Sequence, residues 1–155
     1  VLGQGTVFTL YLPQVEPEAL LDCTVQAPLE LDPDAVRRRI LIVEDNLEVG
    51  RFANQILQDL GYQTVWATHA EEALEMIGPD ARAFDGVFSD VVMPGMGGVA
   101  LARELRRRRP ELPVILTSGY SEELAKCGYD GFEFLAKPYS ADQVSRVLAK
   151  AMGKD

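Results

Sequence analysis

The sequence predicts an α/β fold in which a parallel sheet is covered by helices on both faces. Between residues 37 and 153, short apolar runs alternate with segments whose apolar residues recur at helical spacing. The apolar runs are continuous rather than interrupted by polar residues, which is typical of strands buried on both faces. Strict alternation of strand and helix indicates a doubly wound sheet, and we predict five strands and five helices.

The first two strands and helices are predicted between residues 39 and 79. Arg39–Val43 is a short aliphatic run and forms the first strand. Leu47–Leu60 carries apolar residues at helical spacing, and Gly61 stands where a helix C-cap belongs. Tyr62–Ala67 is the second predicted strand, and Glu71–Ile77 is a second helix that is ended by a Gly-Pro pair.

The same alternation continues through three more strands and three more helices. The strands are rich in aromatic and aliphatic residues, and Pro110 stands directly beyond the third helix. In chain order, these elements are Phe84–Ser89, Gly98–Arg109, Pro113–Thr117, Glu122–Lys126, Phe132–Ala136 and Ala141–Met152. Sites in such sheets form at the carboxyl ends of the strands, so the residues that follow each strand are the candidates for function.

Residues 1–36 differ in composition from the rest of the chain. Val1–Pro13 is a β-rich run with a glycine turn near its start and a proline at its end. Residues 14–36 combine further prolines with many acidic residues, which predicts a linker with little regular structure. Because the chain begins with Val1 in the middle of a strand-like pattern, we expect it to be part of a longer protein.

Composition and charge exclude several classes of function. The formal net charge of −9 argues against non-specific binding to nucleic acid or to an anionic membrane. No apolar run approaches the roughly 20 residues of a membrane span, and no signal peptide is visible. Cys23 and Cys127 lack metal-ligand spacing and are predicted to be reduced thiols of a cytoplasmic protein. His69 is the single histidine, which excludes a histidine-rich metal site.

Carboxylates, a hydroxyl and a lysine stand at the ends of four predicted strands. Glu44 and Asp45 follow the first strand, and Asp90 follows the third. Three carboxylates at one edge would repel one another, and a hard divalent cation such as Mg²⁺ removes that cost. Ser118 adds a hydroxyl after the fourth strand, and Lys137 adds an ammonium after the fifth. Together these groups favour phosphoryl transfer, which depends on positioning and charge neutralisation.

Four stretches of the chain together resemble the receiver domains of two-component signalling. Each stretch lies at its own strand, in the order that the family requires. They are Ile40–Asn46 (ILIVEDN), Ser89–Gly98 (SDVVMPGMGG), Leu112–Gly119 (LPVILTSG) and Phe134–Pro138 (FLAKP). The resemblance covers residues 37–153 and implies a flavodoxin-like sheet with strand order 2-1-3-4-5.

The resemblance implies a role for each matching residue around a phosphorylation site. Asp90 corresponds to the nucleophile that takes the phosphoryl group. Glu44 and Asp45 match the acidic pair that holds Mg²⁺, directly or through water, and the backbone carbonyl of Val92 completes the protein's share of the metal shell. Lys137 pairs with Asp90 before transfer and with the phosphoryl group after it.

The family pattern also identifies two switch positions. Ser118 is preferred to Thr117 as the hydroxyl that donates to the phosphoryl group, because Ser118 directly precedes the small residue Gly119. Phe134 matches the aromatic switch position three residues before the lysine. The departures from the pattern are a glutamate at position 44 and Tyr139 where phenylalanine is common after the Lys-Pro pair.

The N-terminal run resembles the last strand of the ATP-binding domain of sensor histidine kinases. This order implies a hybrid histidine kinase, with residues 1–13 as the strand remnant, 14–36 as the linker and 37–153 as the receiver. The implied donor is a kinase phosphohistidine domain or a histidine phosphotransfer protein, and neither nucleic acid nor membrane is an expected partner.

Several alternative interpretations remain open from the sequence. The chain could be a stand-alone response regulator, or a pseudo-receiver that acts without phosphorylation. A phosphatase of the Asp-x-Asp class is disfavoured because Val92 stands where the second aspartate is needed. The four consecutive arginines Arg106–Arg109 could form a nucleic-acid patch, although a solvated helix end is the preferred interpretation.

Overall fold

A computed structural model describes residues 38–79, 82–119 and 131–153 of the 155-residue chain. These segments contain five strands and four helices in strict alternation, apart from the β4–β5 connection. In chain order, the elements are β1 (Arg39–Val43), α1 (Leu47–Asp59), β2 (Gln63–Ala67), α2 (Ala70–Ile77), β3 (Gly86–Asp90), α3 (Gly98–Arg108), β4 (Val114–Ser118), β5 (Glu133–Ala136) and α4 (Ala141–Ala151). The predicted helix Glu122–Lys126 and the predicted segments 1–13 and 14–36 lie outside the described residues.

All five strands form one parallel sheet, in the order β2-β1-β3-β4-β5. The predicted doubly wound, flavodoxin-like sheet is therefore confirmed. Val43, the last residue of β1, pairs with Ala67 of β2 and with Ser89 of β3. Asp90 pairs with Thr117 of β4. The register thus brings the carboxyl ends of the central strands to one edge of the sheet.

Each face of the sheet carries its own hydrophobic cluster, because successive side chains of a strand point to opposite faces. Leu41 and Val43 lie in the cluster covered by α2 and α3. Ile40 and Ile42 lie in the cluster covered by α1 and α4. Complete burial of one such aliphatic side chain stabilises the fold by roughly 1.5–3 kcal/mol, so the two-sided packing accounts for the continuous apolar runs of the sequence.

The helix starts next to the carboxyl edge are fixed by local hydrogen bonds. Asn46 caps α1, and its side chain accepts hydrogen bonds from the backbone of Glu48 and Val49. Ser140 and Gln143 form a reciprocal capping box at the start of α4. These caps satisfy backbone donors that the first helical turn leaves without partners.

Strand β3 begins two residues later than the sequence predicted. The residue before β3, Asp85, donates its backbone N–H to the Arg39 carbonyl, and its carboxylate accepts from the Arg39 backbone N–H at 2.7 Å. This side-chain contact replaces a regular ladder step at the strand entry. Phe84 is nevertheless buried, with the Arg39 guanidinium 5.2 Å from its ring centre.

None of the helices in the described segments combines the length and the hydropathy needed to cross a membrane.

Candidate functional site

Three carboxylates meet at the carboxyl edge of the sheet. Glu44 follows β1, Asp45 is its neighbour, and Asp90 is the last residue of β3. One oxygen from each carboxylate lies within 4.8 Å of the other two. Glu44 and Asp90 are only 4% and 8% exposed, whereas Asp45 is open to solvent. The site therefore has two buried acids and one exposed acid, close enough together to share one metal ion.

Lys137, the residue after β5, bridges the two buried carboxylates. Its Nζ donates to Glu44 Oε2 at 2.7 Å and lies 3.0 Å from Asp90 Oδ1. Burial raises the pKa of the Glu44 carboxyl above its ordinary value, and the nearby Asp90 acts in the same direction. The Lys137 ammonium opposes that shift without cancelling it. The Lys137 ammonium is thus shared by two carboxyl groups that are held away from water.

The backbone around Asp90 is held on both sides. Val91 donates its N–H to the Thr117 carbonyl at 2.9 Å, which extends the pairing of β3 with β4 beyond the strand end. Gly98, the first residue of α3, donates to the Val91 carbonyl at 3.0 Å. A β-carbon at Gly98 would overlap the Asp90 carbonyl oxygen, so only glycine allows α3 to start this close to the acid.

The two hydroxyl residues at the end of β4, Thr117 and Ser118, are both buried. The Thr117 hydroxyl lies 3.5 Å from the Ser89 carbonyl, so it is directed at the backbone of β3. Ser118 is the last residue of β4, and its carbonyl accepts from the Lys137 backbone N–H at 2.8 Å. Ser118 and Lys137 are therefore fixed to each other through the backbone, at the same edge as Asp90.

The remaining predicted site residues lie near this edge without joining the charged cluster. Val92 follows β3 by two residues, and 48% of its surface is exposed. Phe134 is half-buried in β5, pairs with Leu116 of β4, and packs against the cluster under α2 and α3. The structure thus brings together Glu44, Asp45, Asp90 and Lys137, with Ser118 beside them.

Two aromatic residues at the site were not predicted as functional. The Trp66 indole Nε1 donates to the Glu44 carbonyl at 2.9 Å. Tyr139 is buried, with its ring edge-on to Phe88 and tilted against Phe52. Among the described residues, no group pairs with the Tyr139 hydroxyl. The only sequence signal was the replacement of phenylalanine by tyrosine at position 139, since a tryptophan within a strand is an ordinary packing residue.

Comparison with known proteins identifies the family. The model of the response regulator receiver domain family matches residues 40–149. The chain belongs to this family. Receiver domains serve two-component signalling, and they bind Mg²⁺ at an acidic pocket like the one formed by Glu44, Asp45 and Asp90.

Known proteins are similar to this chain in sequence or in fold. The sensor kinase CckA of Brucella abortus is 33% identical over 99% of the chain, which spans 17% of that kinase. The transcription factor SKN7 of Chaetomium thermophilum is 34% identical over 72% of the chain, which spans 15% of that protein. The crystal structure of the receiver domain from the hybrid histidine kinase CckA is 32% identical with a TM-score of 0.62, and covers 74% of this chain and 98% of its own.

The donor set of this receiver domain fits Mg²⁺. Hard divalent cations prefer carboxylate and carbonyl oxygens and keep several water molecules. Buried Glu44 and Asp90 provide fixed oxygens, while exposed Asp45 leaves one side of the cluster open to water.

Proposed function

We propose that this receiver domain takes a phosphoryl group from a phosphohistidine onto the carboxylate of Asp90. The observation that carries the proposal is the bridge made by Lys137. Its ammonium lies 3.0 Å from Asp90 Oδ1 and 2.7 Å from Glu44 Oε2, inside a cluster of three carboxylates. An ordinary structural ion pair needs one acid for one base, so the surplus acid suits a site that receives a cation and an anionic group.

The transfer exchanges one phosphorus bond for another. An oxygen of the Asp90 carboxylate forms a bond to phosphorus while the bond between phosphorus and the histidine nitrogen breaks, and the electron pair stays on the imidazole. Lys137 holds Asp90 in place before transfer and pairs with a phosphoryl oxygen afterwards. Glu44, Asp45, Asp90 and the Val92 carbonyl would hold Mg²⁺, directly or through water, and the ion would supply charge neutralisation at the transferring group.

After transfer, the Ser118 hydroxyl would donate a hydrogen bond to the new phosphoryl group. Ser118 is supported over Thr117 because the Thr117 hydroxyl is directed at the Ser89 carbonyl, 3.5 Å away. Movement of Ser118 would leave space beside β4 for the half-buried ring of Phe134 to turn inward. The signal would then pass to a partner through the surface formed by β4 and β5.

We further propose that the chain comes from a hybrid histidine kinase. The support is the extent of the alignments: CckA aligns with 99% of this chain, whereas SKN7 aligns with 72%. The proposed division is residues 1–13 as the end of an ATP-binding domain, 14–36 as a linker and 37–153 as the receiver. The phosphoryl donor would be the kinase's own phosphohistidine or a histidine phosphotransfer protein.

The phosphoacceptor proposal is tested by the intact mass of the protein after incubation with acetyl phosphate. We expect a gain of one phosphoryl group in the presence of Mg²⁺ and no gain in EDTA. Asp90→Asn should abolish the gain, because the amide is not a nucleophile for phosphorus. Asp59→Asn, which changes an exposed aspartate at the end of α1, is the matched control and should be labelled like the wild type.

Two results would contradict the proposal. Equal labelling of Asp90→Asn and wild type would place the phosphoryl group on another residue. No labelling of the wild type, with Mg²⁺ and excess phosphodonor, would favour a pseudo-receiver that acts through protein contacts alone.

A further inference from the structure

The single tryptophan of the chain is hydrogen-bonded to the backbone of the first acidic residue. Trp66 lies in β2 and pairs with Ile42 of β1. Its half-buried ring packs against the cluster under α1 and α4. From there the indole N–H reaches past the end of β1 and donates to the Glu44 carbonyl at 2.9 Å. A strand residue on one side of the sheet thus contacts the backbone at the site edge.

Glu44 is held by β2 through both of its backbone groups. Its N–H donates to the Ala67 carbonyl at 3.2 Å, and its carbonyl accepts from the Trp66 indole. The Glu44 carboxylate also lies 3.4 Å from the backbone nitrogen of Asn46. Asn46 is the residue whose side chain caps α1. With the two peptide groups that flank its Cα fixed in this way, the Cα–Cβ bond of Glu44 has a fixed direction, so its side chain always starts from the same point at the site edge.

The path of the indole ring depends on a glycine in α1. A β-carbon at Gly50 would overlap the six-membered ring of Trp66, so no other residue allows the ring to lie there. Glycine in a helix interior costs roughly 0.5–1 kcal/mol of stability relative to alanine. In the cluster under α1 and α4, a smaller side chain at position 66 would remove the need for this glycine. The pair is thus a specific arrangement that directs the indole N–H to Glu44.

We propose that Trp66 is a positioning residue, which holds the Glu44 backbone so that the Glu44 carboxylate is ready to bind Mg²⁺. The inference rests on the proposed function of this site and adds a residue outside the charged cluster. Hydrogen-bond partners of metal ligands orient those ligands, and their loss weakens metal binding by about 10- to 100-fold. Trp66 acts on the residue that bears the ligand rather than on the ligand atom, so we expect an effect at the lower end.

The test removes the indole N–H while keeping the ring. Because the chain has one tryptophan, biosynthetic incorporation of β-(3-benzothienyl)alanine changes position 66 alone and puts sulfur in place of the N–H. Incorporation of 5-fluorotryptophan, which keeps the N–H, is the matched control. Mg²⁺ affinity is measured for each protein by titration of backbone amide resonances, and thermal unfolding in EDTA checks that the fold is retained.

We expect the benzothienyl protein to bind Mg²⁺ about tenfold more weakly than wild type and the 5-fluorotryptophan protein to bind it normally. Trp66→Phe, which also lacks the donor, should match the benzothienyl protein. Phosphorylation by acetyl phosphate should slow at low Mg²⁺ and recover at saturating Mg²⁺. A purely structural role of the ring would lower thermal stability without changing the Mg²⁺ midpoint, and equal midpoints in all folded proteins would overturn the proposal.

A second measurement needs no metal. The single indole N–H resonance of the wild type in EDTA should exchange with solvent far more slowly than that of free tryptophan, because the proton is bonded to the Glu44 carbonyl. Exchange at the free rate would contradict the proposal. If the Mg²⁺ midpoint shifts as expected but no variant is phosphorylated, the positioning role stands and the phosphoacceptor proposal fails. If wild type is phosphorylated and the midpoints agree, only the positioning role fails.

Discussion

At the scale of single residues, the site keeps the carboxyl group of Glu44 in surroundings that favour its neutral form. Burial raises the pKa of Glu44, so ionised Glu44 destabilises the folded state relative to an exposed carboxylate. The ion pair with Lys137 offsets part of this cost, but the same ammonium also pairs with Asp90. Such an arrangement is expected where a site is built for a ligand rather than for stability.

The raised pKa of Glu44 has a pH dependence of definite sign. Above its ordinary value of 4.5, the folded protein holds a proton at Glu44 that the unfolded chain has already released. Stability from this group therefore falls as the pH rises through the window above 4.5. Glu44→Gln cannot titrate, so in EDTA it should be more stable than wild type near pH 7, with a difference that shrinks toward pH 4.5. Urea unfolding at both pH values measures this.

Glu104 provides a control because its pKa is shifted in the opposite direction from that of Glu44. Hydrogen bonds from Arg107 and Arg108 lower the pKa of the Glu104 carboxyl to about 2. The ionised Glu104 carboxylate therefore stabilises the fold above pH 4.5, and this stabilisation is lost as the pH falls toward 2. Glu104→Gln should therefore be no more stable than wild type near pH 7. If both glutamine variants responded to pH in the same direction, burial at Glu44 would not be the cause.

Tyr139 carries a buried hydroxyl with no hydrogen-bond partner among the described residues. Burial, with Glu44 and Asp90 nearby, raises the pKa of the Tyr139 phenol, so the group stays protonated. Since no described residue pairs with this hydroxyl, Tyr139→Phe should raise the free energy of unfolding by about 1 kcal/mol. Urea unfolding of the two proteins checks the value, and a clear loss of stability in the variant would show that the hydroxyl has a partner.

The sequence predicted the members of the charged cluster, and the family resemblance implied the pairing of Lys137 with Asp90, but the contact of Lys137 with Glu44 was not predicted. Glu44, Asp45 and Asp90 could be placed at one edge because parallel strands end together. That Lys137 would contact both buried acids depends on side-chain conformations, which no pattern encodes. The Trp66 contact was beyond prediction for the same reason, since it requires the ring to pack over a glycine of the preceding helix, α1.

At the scale of elements, the junction of β3 and α3 fixes the position of Asp90. Gly98→Ala would place a β-carbon against the Asp90 carbonyl oxygen, and relief requires either β3 or α3 to move. We expect a loss of about 1–3 kcal/mol in the free energy of unfolding, together with slower phosphorylation of Asp90.

Gly119→Ala is the control for this junction. No atom of the described residues lies within 4 Å of a β-carbon at Gly119, and its backbone needs no left-handed conformation. Its stability should stay within about 0.5 kcal/mol of wild type in the same urea experiment. Equal stability of the Gly98 and Gly119 variants would mean that close packing at the junction does not matter.

Strands and helices were predictable where local sequence and burial agree. β1 has the predicted bounds because four buried aliphatic residues follow an exposed arginine. The start of β3 was placed too early because Phe84 is buried like a strand residue, while the neighbouring Asp85 contacts the Arg39 backbone through its side chain. The apolar character that predicts burial of Phe84 can be read from the sequence, whereas the hydrogen bond between Asp85 and Arg39 is a tertiary contact that cannot.

At the scale of the whole molecule, the two hydrophobic clusters, as far as the structure describes them, are built entirely from residues of the receiver domain. In the described segments, both faces of the sheet are covered by the domain's own helices. We therefore expect removal of residues 1–36 to change the free energy of unfolding by no more than about 0.5 kcal/mol. Urea unfolding of the full and the shortened chain tests this division, and a loss of several kcal/mol would mean that the N-terminal segment packs on the receiver.

The central claim is that Asp90 becomes an acyl phosphate, and this bond can be located chemically. After incubation with acetyl phosphate and Mg²⁺, borohydride reduces an acyl phosphate to an alcohol, which would convert Asp90 into homoserine. Peptide mapping by mass spectrometry should find homoserine at position 90 alone, and only when both the phosphodonor and Mg²⁺ were present. Homoserine at Asp45 or at another aspartate, or its absence from a protein that has gained a phosphoryl group, would contradict the assignment of Asp90.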